Sequence, residues 1–304
     1  MGLMIDGRYL TEDPGPDTQA DDAFRRARAN IRNWISEDGP YRPDPARYHL
    51  YAAWNCPWAH RALLTIALKG LPITISYARP RRTEDGWVYD EEGEFRDGLM
   101  GARALHEAYA RVSPRYTGRI TVPLLWDRET DTAVSNESAD IVRMLARAFP
   151  GGPDLSPPEL EPEIDRWNDL IYRTVKNGVY RAGFARTQAA YDEAVVEVFD
   201  TLDRIEAHLE GRDWLVGGQF TEADLRLFPT LARFDVAYHY AFKCNIRRLT
   251  DYPRLWRYAR RIYAMPGVSG TVKFDIYKQG YFSPSELRNP LGIVPAGPVV
   301  DWSM

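Results

Sequence analysis

Residues 51–61, YAAWNCPWAHR, place a cysteine between an apolar run and a proline. The run before Cys56 is typical of a strand, and Pro57 suits the first position of a helix. The pattern therefore predicts Cys56 at a helix N-terminus, where unpaired N–H groups and the helix dipole favour an anion. Thiols in such positions ionise more readily, and the thiolate is the nucleophilic form. We therefore predict that Cys56 is a nucleophile.

The residues around Cys56 limit the chemistry that it can perform. Position 59 is an alanine, so the chain has no C-x-x-C pair, and an external thiol must resolve any mixed disulfide. His60 and Cys56 together supply only two metal ligands, which make no site, and no metal is expected. Cys244, in YAFKCNIRR, lacks this context and is expected to be structural. At this point Cys56 as a small buried hydrophobe stays open as an alternative.

Composition narrows the class of protein further. The chain has 304 residues, which favours two domains, and a net charge of −4, which argues against a general nucleic-acid or anionic-membrane binder. The start, MGLMIDGRYLTEDPGP, has no signal-peptide pattern, and no apolar run approaches the length of a transmembrane span. Two cysteines are too few for a disulfide scaffold, so a cytoplasmic location is expected.

Secondary-structure elements are predicted on both sides of Cys56 in the sequence. Strands are predicted at 47–54 and 71–78 on either side of the helix that follows Cys56, which together make one β-α-β unit. A helix is predicted at 99–112, a hairpin at 120–127 and 133–136, and a helix at 137–149. Pro123 is placed at the beginning of its strand, because proline damages a central strand. This order of elements is that of a thioredoxin fold.

The chain divides into four predicted segments. Residues 1–46 are an N-terminal extension, expected to wrap on a domain without entering its core, with one amphipathic stretch, DAFRRARANIRNWI, at 22–35. Residues 47–149 are the thioredoxin-like thiol-binding domain, and 150–162, dense in Pro and Gly, are a linker. Residues 163–304 are an all-helical substrate domain with a C-terminal tail. Thr221 and Asp224 predict a capping box at a helix start within it.

Five motifs in order resemble one known family. They are YAAWNCPWAHRALLTIALKGL, GRITVPLLWD, SNESADIVRML, NGVYRAGFA and NPLGIVPAGP. Together they look like the glutathionyl-hydroquinone reductases, the Xi class of the glutathione transferases, and the resemblance covers nearly the whole chain. It implies an α/β thioredoxin-like N-terminal domain followed by an all-α C-terminal domain. The chain departs from the family at Trp54-Asn55 and at Gly280-Tyr281-Phe282, where the family tends to carry two adjacent tyrosines.

The resemblance implies an activity, glutathione-dependent reduction of S-glutathionyl hydroquinones. Cys56 would attack the glutathione sulfur, release the hydroquinone and remain as a mixed disulfide with glutathione. A second glutathione would displace Cys56 and leave as oxidised glutathione. A homodimer is also expected from the family.

The resemblance also implies where glutathione binds. N–H groups of the helix that Glu137 and Ser138 begin would hold the γ-glutamyl carboxylate, and Glu137 would pair with the neighbouring ammonium. A cis peptide bond at Pro123 would aim the N–H and C=O of Val122 at the cysteinyl part. Trp87 and Arg119 are candidates for packing over the peptide and for the glycine carboxylate.

Two tyrosines are implied for the hydroquinone. Tyr180, in NGVYRAGFA, and Tyr281 would hydrogen-bond its oxygens and help the arene leave. Tyr277 and Phe282 are neighbours of Tyr281 that could hold its position instead.

Three alternatives remain open from the sequence. An omega-like thiol transferase or dehydroascorbate reductase would share Cys56 without needing the C-terminal tail. A binding or structural module of the same fold would need no reactive cysteine. A different host thiol such as mycothiol could replace glutathione, since the excess of arginine over lysine suggests a GC-rich genome.

Overall fold

The computed structural model describes residues 2–11 and 29–304. Part of the amphipathic stretch predicted at 22–35 therefore lies outside the described residues. The chain separates into two compact units, and the division falls between Gly152 and Pro153, inside the segment predicted as a linker. Residues 2–11 and 29–46, from the predicted extension, belong to the first unit.

A four-stranded sheet forms the centre of the first unit. Its strands are β3 (Tyr48–Ala52), β4 (Thr74–Tyr77), β6 (Leu124–Asp127) and β7 (Thr132–Ser135), and their order across the sheet is β4-β3-β6-β7. Strand β3 runs parallel to β4 and antiparallel to β6, and β6 runs antiparallel to β7. Every residue of β3 and β6 is buried, as expected for the middle of a sheet.

Three helices complete the thioredoxin-like arrangement predicted from the sequence. They are α1 (Pro57–Lys69), α2 (Leu105–Val112) and α3 (Ser138–Ala148), and α1 packs against α3. Helix α1 ends at Gly70, whose φ of 61° lies in the left-handed region that glycine adopts without steric cost. Helix α2 begins later than the predicted 99–112, because residues 99–104 run irregularly until Leu105 donates to the Trp87 carbonyl.

The described part of the N-terminal extension contains strands that the sequence pattern did not predict. Strands β1 (Leu3–Ile5) and β2 (Arg8–Leu10) form a hairpin, and β1 also pairs with β5 (Gly118–Arg119). Met4 is buried in this small sheet. These strands were not predicted because β5 lies more than a hundred residues from β1, and three-residue strands carry too little periodicity to be detected.

The second unit is helical, with bounds as follows: α4 (Glu161–Leu170), α5 (Gly178–Phe184), α6 (Gln188–His208), α7 (Glu222–Arg233), α8 (His239–Ala241), α9 (Pro253–Tyr263) and α10 (Phe274–Tyr281). Two π-helical segments, Ile171–Lys176 and Phe234–Tyr238, interrupt the α-helical winding before α5 and before α8. Such segments shift the direction in which the following side chains point and are frequent at functional sites.

The start of α7 confirms the predicted capping box. The Asp224 carboxylate accepts hydrogen bonds from the Thr221 N–H at 2.8 Å and the Thr221 hydroxyl at 3.1 Å. It also accepts from the Leu215 N–H at 2.9 Å and the Tyr258 hydroxyl at 2.8 Å. Four donors on one buried carboxylate tie the helix start to the preceding loop and to α9.

No helix within residues 2–11 and 29–304 combines the length and the apolar character needed to cross a lipid bilayer.

Candidate active site

Cys56 lies where the sequence predicts it, at the N-cap of α1. Its sulfur accepts a hydrogen bond from the Ala59 N–H at 3.5 Å, and its thiol donates to the Val122 carbonyl at 3.4 Å. Pro57 occupies the first turn, where the N–H that proline lacks would have no helical partner. The Ala59 N–H at the positive end of α1 is thus a donor available to a thiolate at this position, while the Val122 carbonyl accepts the proton of the thiol.

The Val122–Pro123 peptide bond is cis, as predicted. Pro123 directly precedes β6, so it removes no hydrogen bond from the centre of the sheet. Val122 is buried, and its carbonyl faces the sulfur of Cys56. The backbone ahead of β6 thus meets the start of α1 at the Cys56 sulfur.

Glu137 and Ser138 form the start of α3. The Glu137 carboxylate caps the helix by accepting from the Ala139 N–H at 3.0 Å. Ser138 is buried, and its hydroxyl oxygen accepts from Nη1 of Arg61 at 3.3 Å. Arg61 lies on α1, so its side chain connects the helix that carries Cys56 to the helix that begins at Ser138. This connection brings the predicted thiol nucleophile and the predicted γ-glutamyl subsite into one framework.

Sequence reasoning missed Arg61. It is 2% exposed, and its guanidinium lies 4.6 Å from the ring centroid of Trp58. Arg61 is a cation in a run, including Ala59, Ala62 and Leu63, that is otherwise predicted to face the core. This placement is the sequence signal that could have identified it.

Trp87 lies on the loop between β4 and α2 and is 7% exposed. Within the described part of the chain, its buried indole N–H has no hydrogen-bond acceptor. Buried donors are rarely left without an acceptor, so this N–H suits an acceptor that a ligand supplies. The guanidinium of Arg82 lies 5.3 Å from the Trp87 ring centroid.

Arg119 lies on β5, where its backbone pairs with Leu3 of β1. The Tyr116 hydroxyl donates to its carbonyl at 3.4 Å. Arg119 lies three residues before Val122, in the same segment as the cis peptide bond. The contact of Arg119 with a glycine carboxylate stays a prediction.

The two predicted tyrosines meet in the second unit. The hydroxyl groups of Tyr180 on α5 and Tyr281 on α10 lie 2.9 Å apart, although 101 residues separate them in sequence. A third hydroxyl, that of Tyr238, lies 3.0 Å from the Tyr281 hydroxyl. Burial raises the pKa of Tyr238 and of Tyr281 well above the ordinary tyrosine value, so both are neutral phenols at neutral pH. We call Tyr180, Tyr238 and Tyr281 the tyrosine cluster.

Sequence reasoning missed Tyr238. It ends the π-helical segment Phe234–Tyr238, and the extra residue in each π turn breaks the 3.6-residue spacing on which such predictions depend. Phe242 packs on all three rings of the cluster, with centroid distances of 5.2 Å to Tyr180, 5.3 Å to Tyr238 and 5.5 Å to Tyr281.

The neighbours of Tyr281 have other partners. The Tyr277 hydroxyl is buried and donates to the Thr271 carbonyl at 3.4 Å. Phe282 is 2% exposed and contacts Tyr240. Of the three candidate positions, Tyr281 is therefore the one whose hydroxyl joins the cluster.

Cys244 and His60, the second cysteine and the histidine on α1, are both fully buried. Burial raises the pKa of Cys244 to about 12, which keeps it a thiol and agrees with the predicted structural role. His60 is fully buried within α1. Among the described residues, no group of three or more histidine, cysteine or acidic side chains could hold a metal ion.

The chain matches family models and known proteins over most of its length. The family model for the glutathione S-transferase N-terminal domain matches residues 55–148, and that for the C-terminal domain matches residues 188–261. The chain is 46% identical to the glutathionyl-hydroquinone reductase PcpF of Sphingobium chlorophenolicum, over 98% of this chain and 96% of that protein.

Solved structures agree with the sequence comparison. The glutathione transferase Xi of Phanerochaete chrysosporium superposes with a TM-score of 0.91 at 43% identity, covering 95% of this chain and 97% of that one. The glutathione-bound structure of YqjG from Escherichia coli K-12 superposes with a TM-score of 0.89 at 41% identity, covering 100% of this chain and 97% of that one.

Proposed function

Because this chain belongs to the glutathionyl-hydroquinone reductases, the Xi class of the glutathione transferases, we propose that it reduces S-glutathionyl hydroquinones with glutathione, through Cys56. The observation that carries the proposal is the position of the Cys56 sulfur, between the first turn of α1 and the carbonyl that precedes a cis proline.

The first step exchanges a carbon–sulfur bond for a disulfide. The Cys56 thiolate attacks the sulfur of the glutathionyl hydroquinone, and a Cys56–glutathione disulfide forms while the bond from sulfur to the arene breaks. The electron pair of the broken bond stays on the arene carbon, which takes up a proton, so the arene is reduced and the two sulfurs are oxidised. The Ala59 N–H stabilises the attacking thiolate before the step.

The second step regenerates the enzyme. A second glutathione thiolate attacks the glutathionyl sulfur of the mixed disulfide, forms oxidised glutathione and releases the Cys56 thiolate. An external thiol is required here, because position 59 is an alanine and the other cysteine of the chain, Cys244, is fully buried.

Glutathione binding is assigned to groups of the first unit. The start of α3 offers N–H groups and the Ser138 hydroxyl to the γ-glutamyl carboxylate, and Glu137 offers its carboxylate to the ammonium group. The Val122 carbonyl, which accepts from the Cys56 thiol at 3.4 Å, is assigned as the acceptor for the cysteinyl N–H of glutathione once Cys56 has lost its proton. The indole N–H of Trp87 is a further donor for the peptide, and Arg119 is assigned to the glycine carboxylate.

The hydroquinone is assigned to the tyrosine cluster. The hydroxyl groups of Tyr180 and Tyr281, which lie 2.9 Å apart, can each donate to or accept from its oxygens. A phenol that donates to a hydroquinone oxygen stabilises the negative charge that the arene gains as the bond to sulfur breaks.

The test uses S-glutathionyl hydroquinone and glutathione with the full chain. We expect hydroquinone and oxidised glutathione in equal amounts, and a Cys56→Ser variant without activity. Without the second glutathione, mass spectrometry of the intact protein should find one glutathionyl group on Cys56. Turnover that survives Cys56→Ser would overturn the proposal. Parallel assays with mycothiol in place of glutathione identify the thiol.

Tyrosine variants separate this function from that of an omega-like thiol transferase. Tyr180→Phe and Tyr281→Phe should lower kcat for the glutathionyl hydroquinone by about tenfold or more, the usual contribution of a positioned proton donor being 10² to 10⁴. Reduction of a small glutathionyl disulfide and of dehydroascorbate, which place no charge on an arene, should persist within about twofold. Equal losses on all substrates would assign the tyrosines to structure.

A further inference from the structure

An arginine lies buried beside the tyrosine cluster. Arg233, the last residue of α7, is 0% exposed. Its guanidinium carbon lies 3.8 Å from the ring centroid of Tyr277, and Nη1 donates to the Pro229 carbonyl at 2.8 Å. Removal of a guanidinium from water is strongly unfavourable, so the groups next to Arg233 indicate why this charge is retained.

One phenol ring contacts the Arg233 guanidinium directly, and two members of the tyrosine cluster lie on the elements beside it. Tyr277, on which the guanidinium stacks, is four residues from Tyr281 on α10, so both side chains lie on one face of that helix. Tyr238 follows Arg233 by five residues across the π-helical segment, in which the His239 N–H bonds the Phe234 carbonyl five residues back. Two of the three cluster members are therefore held by the elements that Arg233 joins.

The positive charge of Arg233 interacts electrostatically with the tyrosine cluster. Burial opposes this charge, yet the Arg233 pKa stays above the ordinary arginine value because of its electrostatic interaction with Tyr277, Tyr281, Tyr238 and Tyr180. The titratable groups that act on Tyr281 are Tyr180 from α5, Tyr238 and Arg233. Burial and the two phenols raise the Tyr281 pKa, and Arg233 opposes that rise.

We propose that Arg233 is a positioning residue whose buried charge stabilises negative charge on a phenolic ligand, acting through the hydroxyl groups of Tyr281 and Tyr238. The proposal deepens the proposed function and rests on it for the catalytic step. As the bond between sulfur and the arene breaks, negative charge spreads onto the hydroquinone oxygens. A nearby cation polarises the phenols that donate to those oxygens, and its effect is strengthened because Arg233 itself is fully buried, away from the screening of water.

Binding of 4-nitrophenol tests the proposal without catalysis. The phenolate of this compound absorbs visible light and the phenol does not, so its ionisation is measured in the bound state. We expect the bound ligand to ionise at a lower pH in the wild type than in Arg233→Met, with at least a tenfold difference in the ratio of phenolate to phenol at a fixed pH. Arg233→Lys, which keeps the charge and loses the planar stacking on Tyr277, should lie between them.

Two controls exclude other causes. Tyr281→Phe should remove most of the difference between the wild type and Arg233→Met, since the charge acts through that hydroxyl. Lys278, on α10, is a second buried cation, and its Nζ donates to the Ala296 carbonyl in the C-terminal tail. Lys278→Met should therefore leave the ionisation of bound nitrophenol unchanged. Thermal unfolding identifies any variant that does not fold, and Arg233→Lys carries the test if Arg233→Met fails.

Kinetics then separate the two proposals. Arg233→Met should lower kcat for the glutathionyl hydroquinone at least tenfold and leave reduction of a glutathionyl disulfide within about twofold. An unchanged nitrophenol ionisation, or equal losses on both substrates, would overturn the role of Arg233. A wild type that does not turn over the hydroquinone substrate at all would overturn the proposed function, while the nitrophenol experiment would still decide on Arg233.

Discussion

The contact between Arg61 and Ser138 determines which further hydrogen bonds the Ser138 hydroxyl group can make. Its oxygen accepts from Arg61, so a lone pair is occupied and the hydroxyl proton is directed to another acceptor. A ligand carboxylate at the start of α3 is such an acceptor. Arg61 therefore fixes Ser138 as a donor, although Arg61 itself lies on the helix that carries Cys56.

Arg61→Met should weaken glutathione binding. Loss of the contact to Ser138 should raise the KM for glutathione about fivefold, which corresponds to ~1 kcal/mol for one hydrogen bond. The kcat at saturating glutathione should change by less than about twofold. Steady-state kinetics at varied glutathione concentration measure both parameters.

Ser138→Ala supplies the double-mutant cycle for this prediction. Because the two residues act as a unit, the double variant should be little worse than either single variant. Fully additive losses would show that Arg61 acts independently of Ser138. Arg111→Met, on α2, breaks an exposed ion pair with Asp131 and controls for loss of an arginine from the same unit.

At the scale of elements, a buried polar chain joins β3, β4 and the loop that follows β4. His49 of β3 contacts the Thr74 hydroxyl at 2.7 Å and the Ser76 hydroxyl at 3.0 Å, both on β4. The Ser76 hydroxyl also donates to the Asp97 carboxylate at 3.1 Å. Asp97 accepts from the backbone N–H groups of Leu99 and Ala102, so the chain of contacts fixes the loop ahead of α2.

His49 should make the stability of the protein depend on pH. Burial lowers the pKa of His49 to about 4, against about 6.5 in the unfolded chain. The folded protein therefore holds His49 neutral, and this contribution is present above pH 6.5 and is lost as the pH falls through 4. The loss amounts to about 3 kcal/mol in the free energy of unfolding.

Urea unfolding of the wild type and of His49→Gln between pH 7 and pH 4 measures this contribution. The variant keeps hydrogen-bonding groups but has no titrating ring, so the stability difference between the two proteins should shrink or reverse as the pH falls. Parallel stability curves would show that His49 does not titrate on unfolding.

At the scale of the molecule, the end of the chain is anchored to the helical unit. Trp302 is 7% exposed, although Leu287, Leu291 and Val299 before it are exposed. Its ring packs against Trp256 on α9 and Phe274 on α10, with centroid distances of 4.7 Å and 5.5 Å. The tail therefore contributes to the packing of α10, the helix that presents Tyr281.

Trp302→Ala should destabilise the helical unit and impair the tyrosine cluster. We expect a loss of about 3 kcal/mol in the free energy of unfolding, at the lower end of the range for a buried tryptophan. Turnover of the glutathionyl hydroquinone should fall several-fold, while disulfide reduction by Cys56 should not.

The control for this prediction is Val299→Ala, a truncation at a tail position that is 96% exposed. It should leave both stability and turnover at wild-type values. A Trp302→Ala variant as stable as Val299→Ala would show that the tail is not anchored in solution.

The sequence by itself determined what local chemistry dictates. Pro57 after Cys56, Gly70 at the end of α1, and Thr221 with Asp224 at the start of α7 are signals contained within a few residues, and each element begins or ends where they indicate. The thioredoxin-like order of elements and the cis proline follow from signals of the same kind, read together with a family resemblance.

Tertiary structure alone decided which distant residues meet. Tyr180 and Tyr281 are 101 residues apart, and Tyr238 joins them only because a π-helical segment changes the direction of its side chain. The pairing of β1 with β5, the contact of Arg61 with Ser138 and the burial of Arg233 likewise depend on packing between elements. Helical and strand periodicity report which face of an element is buried, and they carry no information about the partner that covers it.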